Sequence, residues 1–412
     1  MKSVELISRF GSPAYVYELA RVREAHSALR AALPQSSDLY YSLKANPHPA
    51  IASELARVGC WAEVSSLGEM KTALNAGFVP SRCLYTGPGK TEAEMRAALG
   101  LGRPLFSVDS PWDLAKLASA SKAAGVQVDA LLRINPDTAV PGMGLSMCGA
   151  PSPFGADTRW VLDNPAAFRT DSCVSVVGLH FYMGTNLPTT DLICRATSVA
   201  LVTARELIAR GFAFDIIDLG GGFGHPFGHA SRRPDFPGLR TAMEAMLDDF
   251  LPMWRSGCPK IMFESGRYLT ASAGHLLATV QDIKQSKGTT FVVLDSGVNH
   301  LGGMAGLRRV PNVGLDFASI ETSDERLLNA NLVGPLCTPL DVLARGAILP
   351  DLTPGDVIEI PNVGAYGLTA SLLAFLSHDA PVEIVLDAGA IVDVSRLAIH
   401  RQSTAYLDGD ST

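Results

Sequence analysis

The sequence lacks the features that mark membrane proteins, secreted proteins and nucleic-acid-binding proteins. None of its apolar runs approaches the ~18 residues that cross a bilayer. The opening stretch MKSVELISRF has no apolar core of the kind that signal peptides carry. Lysine and arginine form no cluster or stripe. We therefore expect a cytoplasmic protein whose partners include neither a membrane nor a nucleic acid.

Cysteine is scarce and shows no pairing along the chain. The seven cysteines are widely separated, and no two of them form a CxxC pair. An odd number of scattered thiols favours a reducing compartment and argues against a structural zinc site. No second histidine or cysteine stands at metal-ligand spacing from His180, so we expect no metal centre. The cysteines are Cys60, Cys83, Cys148, Cys173, Cys194, Cys258 and Cys337.

Short apolar runs recur regularly over the first two thirds of the 412 residues. The first five runs are about 22 residues apart, and the segments between them carry apolar residues at three- and four-residue spacing. Alternating strands and helices imply a parallel sheet, and eight such units favour an α/β fold of the (β/α)8 TIM barrel type. The predicted strands are 38–44, 61–66, 83–88, 105–110, 128–135, 174–182, 214–222 and 260–266.

The pattern changes after residue 275. Four further runs read as strands with few long helices between them, which predicts a C-terminal β-rich domain. Residues 12–20 also read as a strand, and we expect that strand to join the second domain. The predicted organisation is therefore a barrel over 26–274 and a β-rich domain formed by 1–25 and 275–412.

Polar residues gather at the predicted C-terminal strand ends, where such barrels place their chemistry. Strand exits into loops explain some of them, such as Ser65 and Asp109. Taken alone, Lys44 in YYSLKANPHP reads as a solvated lysine just past a strand end. The complete set is Lys44, Glu63, Ser65, Gly87, Asp109, Arg133, His180, Gly220, Gly221, Gly222, Glu264 and Arg267.

Several of these residues suit a phosphorylated aromatic ligand. The glycines of DLGGGFG let the backbone approach an anion and donate N–H groups to it, and Arg267 matches phosphate oxygens. Glu264 suits a cationic ring nitrogen, and His180 suits a base, a ligand or a stacking plate. Structural alternatives exist for each: a tight strand-to-helix turn, a Glu–Arg ion pair and a structural histidine.

Together with a lysine, these are the parts that pyridoxal 5'-phosphate requires. The lysine forms a Schiff base, the glycines and arginine hold the phosphate, a flat side chain stacks on the ring, and a carboxylate keeps the ring nitrogen protonated. Partial burial is expected to lower the pKa of Lys44, which suits Schiff-base chemistry.

The order of the motifs supports this interpretation over nearly the whole chain. YYSLKANPHP, EVSSLGE, YTGPGKT, LRINP, GLHFYMGTN, DLGGGFG, ESGRYL, LDSGVNH, GPLCTPLD and GAYG follow one another as in the fold-type III pyridoxal phosphate decarboxylases. The chain resembles this family of ornithine, arginine and diaminopimelate decarboxylases. The resemblance implies an alanine racemase-like barrel, pyridoxal phosphate as cofactor, and a head-to-tail homodimer with shared active sites.

The resemblance also implies roles for individual residues. Lys44 would form the Schiff base, His180 would stack on the ring and Glu264 would pair with the ring nitrogen. Cys337 would be the general acid that protonates the product carbanion, and it would reach the site from the partner subunit. Glu63 and Arg133 would lie near Lys44, and the phosphate would be held by Gly220, Gly221, Gly222, Gly266, Arg267, Thr185 and Tyr366.

Departures from the family pattern bear on the substrate. An acidic residue that binds a distal amine usually follows the cysteine, whereas this chain has Thr338. Asp341 belongs to the same substrate-side segment, but Pro153 replaces the lysine that pairs with this aspartate in the family. Gly302 stands near the place of an arginine that holds the distal carboxylate of diaminopimelate. Arg308 and Arg309 are nearby, although an exposed pair is the simpler explanation.

These features are most similar to a biosynthetic branch that includes the glutamyl-carrier-protein decarboxylase of butirosin-type pathways. The chain is therefore expected to decarboxylate an L-amino acid that is conjugated or tethered to a carrier protein. Three alternatives remain open. They are a decarboxylase of free ornithine or diaminopimelate, a racemase on the same barrel, and a non-catalytic homologue.

Overall fold

The computed structural model describes residues 2–140, 148–169, 172–302 and 327–401. Helix α1 (Ser3–Phe10) and strand β1 (Ala14–Glu18) precede eight strands that close a parallel barrel. All eight strands predicted from the sequence are present, and the short strand β7 (Ala156–Asp157) adds to the edge of β6. The barrel strands are β2 (Ser37–Ser42), β3 (Trp61–Val64), β4 (Cys83–Tyr85), β5 (Leu105–Val108), β6 (Val128–Asn135), β8 (Val174–Phe181), β9 (Ile216–Asp218) and β10 (Lys260–Ser265).

Helices connect successive barrel strands and begin at residues that cap them. Ser66 and Ser110 each accept a hydrogen bond from the backbone N–H three residues on, and Thr91 forms a capping box with Glu94. Among the described residues, no helix is long and apolar enough to cross a membrane. The helices are α2 (Leu19–Ala32), α3 (Pro49–Arg57), α4 (Leu67–Asn75), α5 (Glu92–Leu101), α6 (Pro111–Ala124), α7 (Thr158–Asp163), α8 (Thr190–Ala209), α9 (Leu239–Phe250) and α10 (Arg267–Thr270).

A second, mixed sheet follows the barrel. Its strands run in the order β14–β13–β12–β11–β1–β16–β17, and β15 also pairs with β11. Strand β1 lies antiparallel to β11 and parallel to β16, so the N-terminal strand is part of this sheet. The boundaries 26–274, 1–25 and 275–412 stay a prediction. The strands are β11 (Gly274–Ser286), β12 (Thr289–Leu294), β13 (Leu327–Val333), β14 (Val342–Pro350), β15 (Val357–Ile360), β16 (Val382–Asp387) and β17 (Ala390–Arg396).

The interior of the barrel changes from apolar to polar along its axis. Tyr40, Leu84, Leu131 and Met262 form one buried cluster although they lie on four different strands, and such contacts occur only across the inside of a barrel. Side chains two positions apart on a strand point to the same side. The next inward positions are therefore Ser42, Glu63, Thr86, Ser107, Arg133, His180, Asp218 and Glu264, and all are buried. We call this set the polar layer; it lies at the C-terminal ends of the strands.

Candidate active site

Lys44 lies in a single 3-10 turn, Leu43–Ala45, which directly follows β2. Its side chain keeps 39% of its surface exposed, so the amine is accessible rather than enclosed. It borders a cavity at the mouth of the barrel. The cavity is lined by Ser42, Lys44, Tyr182, Thr185, Gly222, Phe223, Glu264, Ser265, Gly266, Arg267 and Tyr366.

Glu63 is the immediate partner of Lys44. The Lys44 Nζ lies 3.2 Å from Oε1 and 3.1 Å from Oε2 of this carboxylate, which is 1% exposed. Burial raises the pKa of Glu63, but the charge of Lys44 and nearby hydroxyls outweigh burial and lower the pKa to about 2. Burial likewise lowers the pKa of Lys44, but the charges of Glu63 and Glu264 raise it above its usual value. The expectation of a lowered Lys44 pKa is therefore wrong, because it considered burial alone and not the charges of Glu63 and Glu264.

The glycines of DLGGGFG lie where the chain passes close to its neighbours. Gly220 and Gly222 have φ angles of 64° and 76°, a region that favours glycine. A side chain on Gly221 would collide with the backbone carbonyl of Glu264. At Gly266, an added Cβ would lie only 2.7 Å from that of Ala45. Backbone at these positions is thus packed too tightly for any other residue.

Arg267, Thr185 and Tyr366 surround the same cavity from different elements. The Arg267 guanidinium lies 4.8 Å from the centre of the Tyr366 ring, and its buried Nε has no hydrogen-bond partner among the described residues. Tyr366 comes from the second sheet's side of the chain, between β15 and β16. Its backbone N–H donates to the carbonyl of Ala45, 2.7 Å away. The cavity is therefore completed by the second domain.

His180 and Glu264 meet inside the polar layer. The His180 Nε2 lies 3.3 Å from Oε1 of Glu264, and both side chains are 2% exposed. The other ring nitrogen, Nδ1, is 2.8 Å from the Ser107 hydroxyl. Neither the Nε2 nor the Oε1 satisfies hydrogen-bond geometry with any described residue. These unpaired buried atoms are available to a ligand.

Asp218 is the ionisable polar-layer residue that the sequence analysis missed. It ends β9 directly before the glycines, it is fully buried, and its Oδ1 accepts a hydrogen bond from the Gly220 N–H at 2.8 Å. One carboxylate oxygen of Asp218, one of Glu264 and one ring nitrogen of His180 all lie within 4.8 Å of one another. The alternation of inward positions along β9 would have identified it. The expectation that the chain has no metal centre stays a prediction.

Arg133 lies on β6, across the barrel from β2 and Lys44. It is 9% exposed, and its guanidinium lies 5.0 Å from the centre of the Phe154 ring. The carboxyl oxygens of Asp109 are buried without a described hydrogen-bond donor. Burial raises the pKa of Asp109, and the nearby charge of Arg133 opposes only part of this effect. Arg133 does not border the cavity that Lys44 borders.

Cys337, Thr338 and Asp341 lie together on the cysteine loop, residues 334–341, between β13 and β14. Cys337 is exposed, and none of the three borders the cavity of the same chain. Asp341 is 2% exposed, and it accepts hydrogen bonds from the backbone N–H groups of Val298 and Leu336, both at 2.8 Å. These two N–H groups are the partners that the sequence left open for Asp341.

Of the three other residues in the substrate-side hypothesis, Gly302 is described by the structure. Gly302 packs near Ser371, to whose hydroxyl its backbone N–H donates at 2.8 Å. Arg308 and Arg309 lie outside the described residues.

Comparison with known proteins gives a consistent result. Residues 19–271 match the family model of the pyridoxal-dependent decarboxylase, pyridoxal binding domain. The L-glutamyl-[BtrI acyl-carrier protein] decarboxylase of Niallia circulans is 30% identical over 93% of this chain and 91% of its own length. The diaminopimelate decarboxylase of Zymomonas mobilis is 30% identical over 98% of this chain and 94% of its own.

Solved structures extend the likeness to the fold. The diaminopimelate decarboxylase of Helicobacter pylori, complexed with L-lysine, superposes with a TM-score of 0.82 at 26% identity, and the match covers 95% of each chain.

Proposed function

The chain belongs to the family of pyridoxal-dependent decarboxylases, and from this premise we propose that its substrate is an L-amino acid without a free distal ammonium group. The reaction class is pyridoxal phosphate-dependent decarboxylation of an amino acid. The finer proposal is a conjugated or carrier-tethered amino acid. It depends above all on Thr338, the neutral residue that follows Cys337.

The residues at the barrel mouth fit pyridoxal phosphate. Four features match its parts: an accessible amine at Lys44, an unpaired buried guanidinium nitrogen at Arg267, a glycine cradle without room for side chains, and an unpaired buried oxygen on Glu264. When bound, the cofactor supplies an aldehyde and an electron-withdrawing ring. Gly220, Gly221, Gly222, Gly266, Arg267, Thr185 and Tyr366 would hold its phosphate.

Several residues at the barrel mouth then have a task. Lys44 would hold the cofactor through its amine, and the charge of Glu63, 3.1 Å away, fixes the position of that amine. Glu264 holds a proton on the ring nitrogen, because a carboxylate favours the cationic form of its partner. His180 provides a flat face, and Ser107 fixes the orientation of its ring. Arg133 lies across the barrel, where its charge acts on Asp109.

Protonation of the product carbon is assigned to Cys337 of a second subunit in a homodimer. Cys337 is exposed and lies away from the cavity of its own chain, as a residue that serves a partner must be. Leu340 exposes a large apolar side chain on the same loop, and other exposed apolar side chains lie between β15 and β16 and after β17: Leu372, Phe375, Leu376, Leu397 and Ile399. Exposed apolar surface of this kind typically marks an interface.

Mixing two inactive variants tests the shared site. We expect Lys44→Ala and Cys337→Ala dimers to be nearly inactive alone. After subunit exchange in equal amounts, half of the dimers are hybrids with one intact site, so about a quarter of wild-type CO2 release returns. No recovery, with exchange verified by differently tagged subunits, contradicts the shared site.

The substrate proposal follows from charge. A distal ammonium that is brought into the site needs a carboxylate partner, and Thr338 supplies only a hydroxyl. The printed name of the Niallia circulans relative gives an L-glutamyl carrier protein as its substrate, which supports this direction. The diaminopimelate decarboxylase relatives support the alternative of a free diamino acid.

A substrate panel separates the two. CO2 release is measured with free L-lysine, L-ornithine, diaminopimelate and L-glutamate, and with L-glutamate tethered to a carrier protein. We expect kcat/KM for the tethered substrate to exceed that for every free diamino acid by at least about 10²-fold. Brisk turnover of free diaminopimelate contradicts the proposal.

A matched pair of variants tests the role of Thr338 itself. Thr338→Asp introduces a carboxylate and should raise kcat/KM for L-ornithine or L-lysine about tenfold or more, whereas the isosteric Thr338→Asn should not. Equal effects of the two variants would remove charge at this position as the determinant.

A cytoplasmic location remains part of the proposal. It is supported by the seven cysteines, all of which are free thiols in the structure.

A further inference from the structure

Asp218 is buried more completely than any acid of the site, yet the chemistry described so far gives it no task. It is 0% exposed at the end of β9. One of its oxygens accepts the Gly220 N–H, and the other has no donor among the described residues. A buried carboxyl oxygen without a donor is costly, so its environment must supply a proton or a partner.

The nearest acidic neighbour is Glu264. Asp218 and Glu264 lie on adjacent parallel strands, and their ligand atoms lie within 4.8 Å of each other. The Oε1 of Glu264 is also buried without a described donor. Two carboxyl groups at such a distance in a dry interior do not both ionise, and they share one proton instead.

The surroundings decide which of the two holds that proton. Tyr40 and Glu63 are close enough to influence Asp218, and neither provides positive charge. Burial, followed by the charge of Glu264, raises the pKa of Asp218 well above its usual value. His180 lies within 4.8 Å of both carboxyl groups, but it is at ion-pair distance, 3.3 Å, from Glu264, and only Glu264 of the two borders the cavity. The proton therefore belongs on Asp218.

We propose that Asp218 is a positioning residue whose neutral carboxyl group donates a hydrogen bond to Glu264, and so keeps Glu264 ionised and aimed at the ring nitrogen of the cofactor. The inference rests on the proposed role of Glu264 in cofactor binding. In this arrangement Asp218 links two parts of the site. The C=O oxygen of its side-chain carboxyl group accepts from the Gly220 N–H and so orders the glycine loop. The O–H of the same carboxyl group orders the Glu264 carboxylate.

Two substitutions of the same residue give the first test. Asp218→Asn keeps both contacts, because an amide accepts from Gly220 through its oxygen and donates to Glu264 through its nitrogen. Asp218→Ala loses both. We expect the dissociation constant of pyridoxal phosphate and the visible absorption of the bound cofactor to stay close to wild type in Asp218→Asn. In Asp218→Ala we expect the dissociation constant to rise about 10- to 100-fold, the usual worth of a hydrogen bond to a charged group. If Asp218→Asn is impaired as much as Asp218→Ala, Asp218 acts as an anion and the proposal is wrong.

A double-mutant cycle with Glu264→Ala gives the second test, because it separates Glu264 from the glycine loop. If Asp218 acts through Glu264 as well as through the loop, adding Asp218→Ala to the Glu264→Ala variant raises the dissociation constant by a factor at least about threefold smaller than in the wild-type background. If Asp218 only orders the loop, the two effects multiply, and that result overturns the proposal. Circular dichroism and thermal unfolding of each variant establish that it folds, and the Asn variant retains its value should an Ala variant fail. Both tests use cofactor binding, so a failure of the substrate proposal leaves them unaffected.

Discussion

The polar layer of the barrel and the cysteine loop contain the two halves of one active site, and they are built in opposite ways. The polar-layer side chains come from the C-terminal ends of the eight barrel strands and are buried. Several of their nitrogen and oxygen atoms have no hydrogen-bond partner among the described residues. The cysteine loop is a single short segment on the surface, and its one buried acid, Asp341, is satisfied by its own backbone. The barrel therefore prepares a site for a cofactor, whereas the loop prepares a surface for another subunit.

The largest expected effect concerns Lys44. Because the covalent attachment of the cofactor depends on this amine, Lys44→Ala should reduce kcat by more than about 10³-fold and abolish the visible absorption of bound pyridoxal phosphate. Lys44→Arg keeps the positive charge beside Glu63 and provides the matched control. We expect it to be as inactive as the alanine variant, whereas activity near wild type would assign only an electrostatic role to Lys44.

Substitution of Cys337 should give the next largest loss of kcat. It tests directly whether the cysteine loop acts in catalysis without contributing to cofactor binding in its own chain. Loss of a general acid lowers kcat by roughly 10²- to 10⁴-fold. The absorption and dissociation constant of pyridoxal phosphate should stay unchanged in Cys337→Ala, because the cavity of the same chain does not include this residue. Cys173→Ala is the control thiol. A changed cofactor affinity in Cys337→Ala would contradict the separation of the two regions.

Asp341 tests whether the cysteine loop depends on its buried acceptor. Asp341→Asn replaces one carboxylate oxygen by an N–H donor that faces a backbone N–H. The free energy of unfolding should fall by about 1–3 kcal/mol, the cost of a buried unsatisfied donor. Urea denaturation measures it, and Asp379→Asn, at a side chain that is 92% exposed, should have no measurable effect.

The smallest expected effect lies at the second sheet, where His275 stands between Glu18 and Glu359 at 3.2 and 3.0 Å. Burial lowers the pKa of His275, but the two carboxylates outweigh burial and raise it to about 8. A raised histidine pKa stabilises the fold fully below pH ~6.5, and this contribution of about 2 kcal/mol is lost as the pH rises through 8.

His275→Gln should therefore lose stability at pH 6 and little at pH 9. The free energy of unfolding, followed from pH 5.5 to 9, measures the difference, and the exposed His400→Gln provides the control. A wild-type curve that is flat between pH 6.5 and 8 would refute this assignment.

The fold could be predicted because each barrel strand is a short apolar run in the sequence. The C-terminal ends of parallel strands lie together at one end of the barrel. That reasoning placed Lys44, His180 and Glu264 at one mouth, and the structure brings them together there. It could not give the ionisation of Lys44, since that depends on Glu63 from the neighbouring strand lying 3.1 Å away. Distances between side chains on different strands are absent from a one-dimensional pattern.

Asp218 illustrates a different limit. It is the first residue of the motif DLGGGFG, but the motif was interpreted through its glycines. An aspartate at a strand end is also typical of an ordinary exit into a loop. Only the three-dimensional arrangement shows that it is fully buried and within 4.8 Å of Glu264. The cysteine loop shows a third limit, because a residue that completes a partner's site leaves no trace of that partner in its own chain.

Tyr366 gives the site a thermodynamic consequence. This residue holds a φ of 55°, donates its N–H to Ala45 beside Lys44, and lays its ring against Arg267. A ligand bound among these groups bonds to both domains at once and has no comparable site in the unfolded chain. Cofactor concentration therefore acts on the whole molecule: at 100 times its dissociation constant, pyridoxal phosphate stabilises the folded state by about 2.7 kcal/mol. The supply of cofactor thus affects the folding stability of the protein as well as its activity.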